Sequence, residues 1–374
     1  MFYIHLKKVI RFIQIYGVRK TFFKVLGRTL KPFPFFVFFR PNVVRNVGVI
    51  GCGQFSFSTV GSVLTGIFGN IFIDCFDVNK DKQMSFSNFY RIKKSSNTSQ
   101  DLINNPNVEY IYITSNHASH TDYAVSSIFA GKVVYIEKPI CVSWSQFQCL
   151  ITAIEKRDNP VYFGYNRPFS KAVRQLKEFT DKSCSPVTLS CFITGHMMSK
   201  NHWYRNPNEG TRICGNVGHW LDLAVHVLSW GKLQNNWALN ISYSDMDNPD
   251  DDISISMTSS NGDLINIILT SRCEPFEGIN ETINFQKSNT ICKIDDFRNM
   301  TIWQEDKLIK KRYWPKDVGH NLSILQPFQN KFSRDHNEVF YSTFLMLHIS
   351  NMVKNKENHS LFSFEHYKNK FGLL

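Results

Sequence analysis

Between residues 43 and 167, short apolar runs alternate with segments of helical period. The runs are Val43 to Ile50, broken only at Arg45-Asn46, Asn70 to Asp77, Val108 to Thr114, Lys132 to Ile136 and Val161 to Gly164. Runs of roughly four to eight residues closed by Gly, Asn or Pro predict buried strands. A helix is predicted from about Thr121 to Ala130, and the polar stretch 78–100 predicts a loop with a short helix. Strand and helix in alternation imply right-handed crossovers and a parallel sheet.

The texture changes after Arg167. A helical segment, Ser170 to Phe179, leads to a strand at Pro186 to Thr194, a polar loop at Lys200 to Thr211 and a helix from about Asn216. From Trp237 to Trp314 strands dominate: Ala238–Tyr243, Ile253–Thr258, Leu264–Thr270, Glu281–Phe285, Thr290–Ile294 and Met300–Gln304. A helix from His336 to Val353 closes the pattern. The fold expected is an α/β domain followed by an α+β domain with a large, mostly antiparallel sheet. The divisions are 1–42 as an extension, 43–167 as the first domain and 168–374 as the second.

Charge changes the picture only for the extension. Residues 1–45 carry Lys7, Lys8, Arg11, Arg19, Lys20, Lys24, Arg28, Lys31, Arg40 and Arg45 and no acidic residue, ten of a formal net charge of +12. The body is therefore nearly neutral, and nucleic acid is not an expected partner. Leu6, Val9, Ile10, Ile13 and Tyr16 recur at helical spacing, opposite Lys7, Lys8, Arg11 and Gln14. Gly17 closes this piece, and a second holds Phe22, Phe23, Val25 and Leu26 among Arg19, Lys20 and Lys24. The run Phe33 to Phe39, interrupted by Pro34, is too short to span a bilayer and lacks a signal peptide's pattern. Two readings stand. Residues 1–40 lie on an anionic membrane surface, or they dock on the protein's own body or a sister subunit. Nine scattered cysteines without a Cys-x-x-Cys pair indicate reduced thiols and a cytoplasmic protein. The membrane reading would place it peripherally at the inner face.

The candidate chemistry starts at Gly51-x-Gly53-x-x-Ser56, directly after the first strand. The first glycine permits a tight turn and the second lets backbone N–H groups approach a pyrophosphate. The small third residue lets the next helix pack on the strand. Asp77, at the end of the second strand, is placed to accept hydrogen bonds from a ribose diol, which favours NAD over NADP; Asp74 is a rival on spacing. Asn116, Lys138 and Arg167 follow the ends of later strands, where ligands of parallel sheets bind. Asp222 and His226, at i+3 and i+7 from His219, offer no full ligand set, so no metal is expected.

These residues, with Tyr110 to Thr114, the run Ala130-Gly131-Lys132 to Glu137-Lys138-Pro139, Gly164-Tyr165-Asn166-Arg167 and Gly210 to Asp222, come in a familiar order. Over roughly residues 46–330 the chain resembles the glucose-fructose oxidoreductase / inositol dehydrogenase / rhizopine catabolism (Gfo/Idh/MocA) family. The resemblance implies a Rossmann-type dinucleotide-binding domain and hydride transfer between NAD and a sugar, in a homo-oligomer. It assigns Gly51, Gly53, Gln54, Phe55, Asp77, Thr114, Asn116, His120, Glu137 and Lys138 to the cofactor. Arg167, His202, Trp203, Asn216 and Asp222 fall to the substrate. Lys138 would hydrogen-bond the reacting oxygen and His219 would serve as acid and base. One departure stands out: many members carry an Asp four residues before this His, where this chain has Gly215, with Asn216 beside it. A non-catalytic, cofactor- and sugar-binding relative is therefore the competing class. The loop Asn201-His202-Trp203-Tyr204-Arg205 mixes aromatic rings with cations, which suits a sugar bearing phosphate or carboxylate, such as a nucleotide sugar.

Overall fold

The structure, a computed structural model, describes residues 2–29, 44–180, 183–329 and 333–373. The run Phe33 to Phe39 and the start of the first predicted strand at Val43 lie outside the described residues. Five apolar runs form β1 (Val47–Ile50), β2 (Phe72–Phe76), β3 (Tyr110–Ile113), β4 (Val133–Ile136) and β5 (Val161–Phe163). They pair in parallel in the order β2-β1-β3-β4-β5. Val47, Val49, Ile111 and Val134 are fully buried, as expected for strands covered on both faces. The register aligns Phe76, Ile50, Ile113, Ile136 and Phe163 in one row across the sheet. Asp77, Gly51, Thr114, Glu137 and Gly164 therefore occupy the next row, at the carboxyl edge. That alignment gathers residues that are far apart in sequence.

The chain divides into two units, one of residues 12–165 and 320–334 and the other of residues 1–11, 166–319 and 335–374. The parallel sheet belongs to the first. The return of residues 320–334 to it was not visible in the sequence pattern. Tyr112 Oη donates to the Ile324 carbonyl at 2.6 Å, and the Gln326 side-chain amide donates to the Phe163 carbonyl at 2.9 Å. Ile324 and Leu325 join the core of that unit.

The amino-terminal segment is helical over Phe2–Thr29, broken at Gly17, whose φ of 77° no other residue type would adopt readily. Residues 12–29 dock on the parallel-sheet unit. Phe23 and Leu26 enter its hydrophobic core beside Phe57, Val60 and Leu64, and the Arg19 guanidinium donates to the Ser62 carbonyl. The predicted apolar stripe is not the face that is buried. Leu6 and Ile10 are exposed, whereas Phe12, Ile15, Phe23 and Leu26 are covered. Phe12 and Ile15 precede the break at Gly17, on a side of the first piece that the spacing of Leu6, Val9, Ile10, Ile13 and Tyr16 did not pick out.

Among the described residues the second unit holds nine strands: β6 (Val187–Thr194), β7 (Asn236–Tyr243), β8 (Ile253–Ser259), β9 (Leu264–Thr270), β10 (Asn280–Lys287), β11 (Thr290–Asp295), β12 (Asn299–Gln304), β13 (Lys307–Arg312) and β14 (His359–Ser363). Their order is β13-β12-β11-β10-β6-β9-β8-β7-β14, and only the β6–β9 pair is parallel. Along β6, Val187, Leu189, Cys191 and Ile193 point inward while Phe192 is exposed. The helices Gly218–Leu228 and His336–Asn355 pack closely: a Cβ on Gly218 would stand 2.8 Å from Met346 Sδ. The edge strands β13 and β14 escape sequence reading because Lys307, Lys310, Lys311 and Arg312, or Ser and His, replace the apolar alternation. Charged edges of this kind block unwanted strand pairing.

Candidate active site

Gly51 sits at φ +92°, and a Cβ there would lie 2.4 Å from the Ser115 nitrogen, so only glycine is admitted. At Gly53 an added Cβ would meet nothing within 4 Å, which leaves that side of the loop open for a ligand to approach backbone. The third small residue does more than save space. Ser56 Oγ donates to the Gly51 carbonyl at 2.6 Å and the Gly53 carbonyl at 2.9 Å, strapping the loop. Thr114 Oγ1 adds a bond to the Gly51 carbonyl at 2.8 Å. Gln54, at the helix start, is exposed, and Phe55 is half-buried with its ring 5.5 Å from that of His320. Burial raises the pKa of the Cys52 thiol, inside this loop, well above its ordinary value.

The two candidate carboxylates are distinguished by their partners. Asp74 accepts from the Cys75 and Ser96 nitrogens, Ser96 Oγ and Asn105 Nδ2, a full complement that commits it to structure. Asp77 accepts one bond on each oxygen, from the Cys52 nitrogen at 2.7 Å and the Asn79 nitrogen at 2.8 Å. Each carboxylate oxygen has a further lone pair. Asp77 is thus tied to the glycine loop and retains capacity for a diol. The loop, its open Gly53 side and this carboxylate fit the pyrophosphate and ribose of a dinucleotide.

Glu137 and Lys138 follow β4. Glu137 is buried and accepts from Tyr135 Oη at 3.3 Å; a Cβ on Gly164 would stand 2.4 Å from its Oε2, which explains the glycine opposite. Lys138 is half-buried and precedes Pro139 through a cis peptide bond. Asn116 is exposed and accepts from Ser119 Oγ at 2.7 Å. His120, 1% exposed, places its ring nitrogens 2.8 Å from the Pro139 carbonyl and 3.1 Å from that of Ser115. His120 thereby ties the loops after β3 and β4 together rather than facing outward.

In the second unit, His219 is half-buried near the start of the helix Gly218–Leu228, preceded by a wide turn at Ile213–Val217 that carries Gly215 and the half-buried Asn216. Two residues assigned to the substrate have other work. Asp222 is wholly buried and accepts from Ser342 Oγ at 3.2 Å, so it joins two helices. Arg167 is 6% exposed and pairs with Glu281 through Nε at 3.1 Å and Nη2 at 3.2 Å, while Nη1 donates to Asn166 Oδ1. Trp220 Nε1 donates to the same Glu281 at 2.8 Å, and the Arg167 guanidinium lies 4.7 Å from the Trp220 ring centre. Glu281 was missed in the sequence; nothing at the head of a strand marked it as a partner for residues 61 and 114 positions away.

The loop after β6 carries His202 and Trp203. Trp203 is 44% exposed and Tyr204 meets it edge-on at 4.4 Å between ring centres. His202 Nδ1 accepts from the Tyr204 nitrogen at 3.2 Å. Desolvation, followed by Arg205, Arg212 and His196, lowers its pKa, so the ring is neutral. Arg205 Nη2 donates to Asp251 at 2.7 Å, and its Nη1 lies 3.9 Å from Asp250. Arg212 is 1% exposed, its nitrogen donates to Asp250 at 2.8 Å and its guanidinium lies 3.5 Å from Asp251. Burial lowers the Arg212 pKa from its ordinary value, opposed by Asp251 and Asp250.

A parallel sheet with a glycine loop and an acidic second-strand end defines a dinucleotide-binding domain. Residues 45–165 match the GFO_IDH_MocA family, described as an oxidoreductase family with an NAD-binding Rossmann fold. Residues 45–165 are thus similar to the NAD-binding domain of that family. It is 26% identical over 198 residues to oxidoreductase P35 of Formosa agariphila, covering 51% of this chain and 62% of that one. Against the inositol 2-dehydrogenase of Salmonella typhimurium the identity is 29% over 136 residues, 36% of this chain and 40% of the relative. The alignments therefore span less than two thirds of these relatives. The fold is that of levoglucosan dehydrogenase, solved with NADH and L-sorbose: TM-score 0.71 at 12% identity, covering 85% of this chain and 98% of that one.

Proposed function

We propose that the protein is an NAD-dependent oxidoreductase that moves a hydride between nicotinamide and the carbinol or keto carbon of a sugar. The observation that carries this reading is Lys138, half-buried one residue past the row of Asp77, Gly51, Thr114 and Glu137. When bound, NAD accepts or returns the hydride. The glycine loop and Asp77 would hold the dinucleotide, with Asp77 excluding a 2′-phosphate. Lys138 donates a hydrogen bond to the reacting oxygen, and His219 takes the hydroxyl proton on oxidation and returns it on reduction. Neither role requires a nucleophile. The inositol dehydrogenases among the relatives and the sugar-bound neighbour support a polyol or sugar as substrate.

Gly215 favours a second reading, a sugar-binding regulator that keeps the cofactor without turning over. The two are separated by denaturing the purified protein, identifying released nicotinamide by mass spectrometry, and following NADH at 340 nm with a panel of inositols and hexoses. NADH formation with at least one member is expected. Bound NAD with no turnover of any member would leave the regulator.

We also propose a cytoplasmic, self-associating protein. The free cysteines suit a reducing compartment. One cross-strand row on the sheet's open face exposes Leu361, Leu264, Ile291, Trp303 and Leu308, which supports self-association. Leu6 and Ile10 before Gly17, and Val18, Phe22 and Val25 after it, are exposed apolar residues among the cations, which supports shallow contact of residues 1–40 with an anionic bilayer. Among the described residues no helix is long and apolar enough to cross a membrane. Salt-sensitive binding to phosphatidylserine vesicles, weakened in a Lys7→Glu/Lys8→Glu variant that keeps Phe23 and Leu26 in the core, is expected. Vesicle binding unchanged by that charge reversal would sink the membrane proposal.

A further inference from the structure

The sequence offered Arg167 and Arg205 to an anionic substrate, and Arg212 follows on the same loop. The fold neutralises each of them inside the same unit. Arg167 is consumed by Glu281, with both oxygens engaged. Arg205 pairs with Asp251 and approaches Asp250, and Arg212 sets its guanidinium 3.5 Å from Asp251 while its backbone nitrogen donates to Asp250. The acidic turn is itself fixed to the end of β9: Asp252 Oδ1 accepts from Thr270 Oγ1 at 2.6 Å and the Ser271 nitrogen at 2.9 Å. Arg205 also donates to the Met198 carbonyl and Arg212 to the His196 carbonyl, so these ion pairs hold both ends of the aromatic loop. That loop runs without interruption into the turn and helix that carry His219. The aromatic part of the loop presents the face of Trp203 and the ring of His202, whose pKa is lowered by desolvation. Lys200, exposed, is the loop's remaining basic residue.

We infer that this loop receives an uncharged polyol or sugar ring, and that Asp250 and Asp251 are the specificity residues that turn anionic sugars away. The inference rests on the reading of the protein as a sugar oxidoreductase. An apolar and aromatic face can pack on the C–H face of a sugar ring, while a phosphate or carboxylate would meet two carboxylates whose counter-cations are already spent. A guanidinium held by a carboxylate has few donors left for a second anion, and breaking the pair would strand a charge.

The test measures binding as well as turnover. The NAD-loaded full chain is titrated calorimetrically with myo-inositol, D-glucose and L-sorbose, and with D-glucose 6-phosphate, D-glucuronate and UDP-glucose. At least one neutral probe should bind about tenfold or more tighter than each anionic one. Asp251→Asn, which releases Arg205, should reduce that ratio about tenfold by strengthening the anionic arm. Should that variant fail to fold, Arg205→Gln leaves the carboxylates in excess and should widen the ratio instead. Wild-type preference for a phosphorylated or carboxylated probe, binding of no probe, or a ratio unmoved in a folded variant would overturn the inference. Selective binding of a neutral probe with no NADH formed would keep the inference and overturn the oxidoreductase reading instead.

Discussion

Asp77 and Asp251 are both carboxylates beside a loop that leads into a functional helix, yet they are held in opposite ways. Asp77 is fixed by backbone nitrogens of Cys52 and Asn79, which use one lone pair on each oxygen and add no opposing charge. Asp251 is fixed by the guanidinium groups of Arg205 and Arg212, which neutralise it. A backbone-held carboxylate keeps a lone pair on each oxygen open to a ligand's hydroxyls. A side-chain-held carboxylate becomes part of the wall. Which groups are available to a ligand depends on how each charge is satisfied.

The comparison breaks first at the backbone. Gly51→Val introduces a branched side chain at φ +92°, where even a Cβ stands 2.4 Å from Ser115. Titration of the folded variant should show no NADH binding in the measurable range, because the loop that Asp77 holds can no longer close. Retained binding would mean that the loop does not hold the cofactor. Phe23→Ala removes a ring that is 2% exposed in the core of the same unit and should lower stability by about 3–5 kcal/mol in denaturant melts. That outcome would show the amino-terminal helix to be a structural part of the unit; a change under about 1 kcal/mol would show it to be an appendage.

Asp77→Ala should sharpen the contrast by narrowing the preference for NADH over NADPH about tenfold, since the carboxylate that meets the 2′-phosphate is gone. Equal affinities in the wild type would show that Asp77 is not the discriminating group. The smallest effect concerns pH. Because the pKa of His202 is lowered, the ring stays neutral as pH falls to its ordinary value, about 6.5. Protonation below that adds a cation beside Arg205 and Arg212. Sugar affinity should accordingly be flat from pH 8 to about 6.5 and decline only below it; a decline centred near pH 7 would contradict the lowered value.

What was legible in the sequence was local. Gly51, Gly53, Ser56 and Asp77 act through backbone geometry within one strand–turn–helix unit, and their spacing states that geometry directly. The sheet strands were equally plain wherever burial kept them apolar. What spacing could not state were partnerships across the fold. Arg167 looks like a substrate cation until β10 brings Glu281 to it, and Asp222 looks like a site residue until the helix His336–Asn355 covers it. The edge strand β13 was hidden because a strand with one free edge can be mostly basic. The face of the first amino-terminal piece was misjudged because Phe12 and Ile15 lie beside the Leu6–Ile10 stripe, and spacing alone does not say which side is covered.

The central claim is that Lys138 and His219 carry proton transfer in an NAD-dependent oxidation. It is tested most directly by initial rates of NADH formation from a turned-over sugar, measured for the wild type, Lys138→Ala, His219→Ala and the double variant. NADH affinity is checked in each by fluorescence titration. Each single variant should lose about two to four orders of magnitude in kcat while binding NADH, the scale expected when acid–base assistance is removed. Wild-type turnover by the double variant with the cofactor bound would contradict the account.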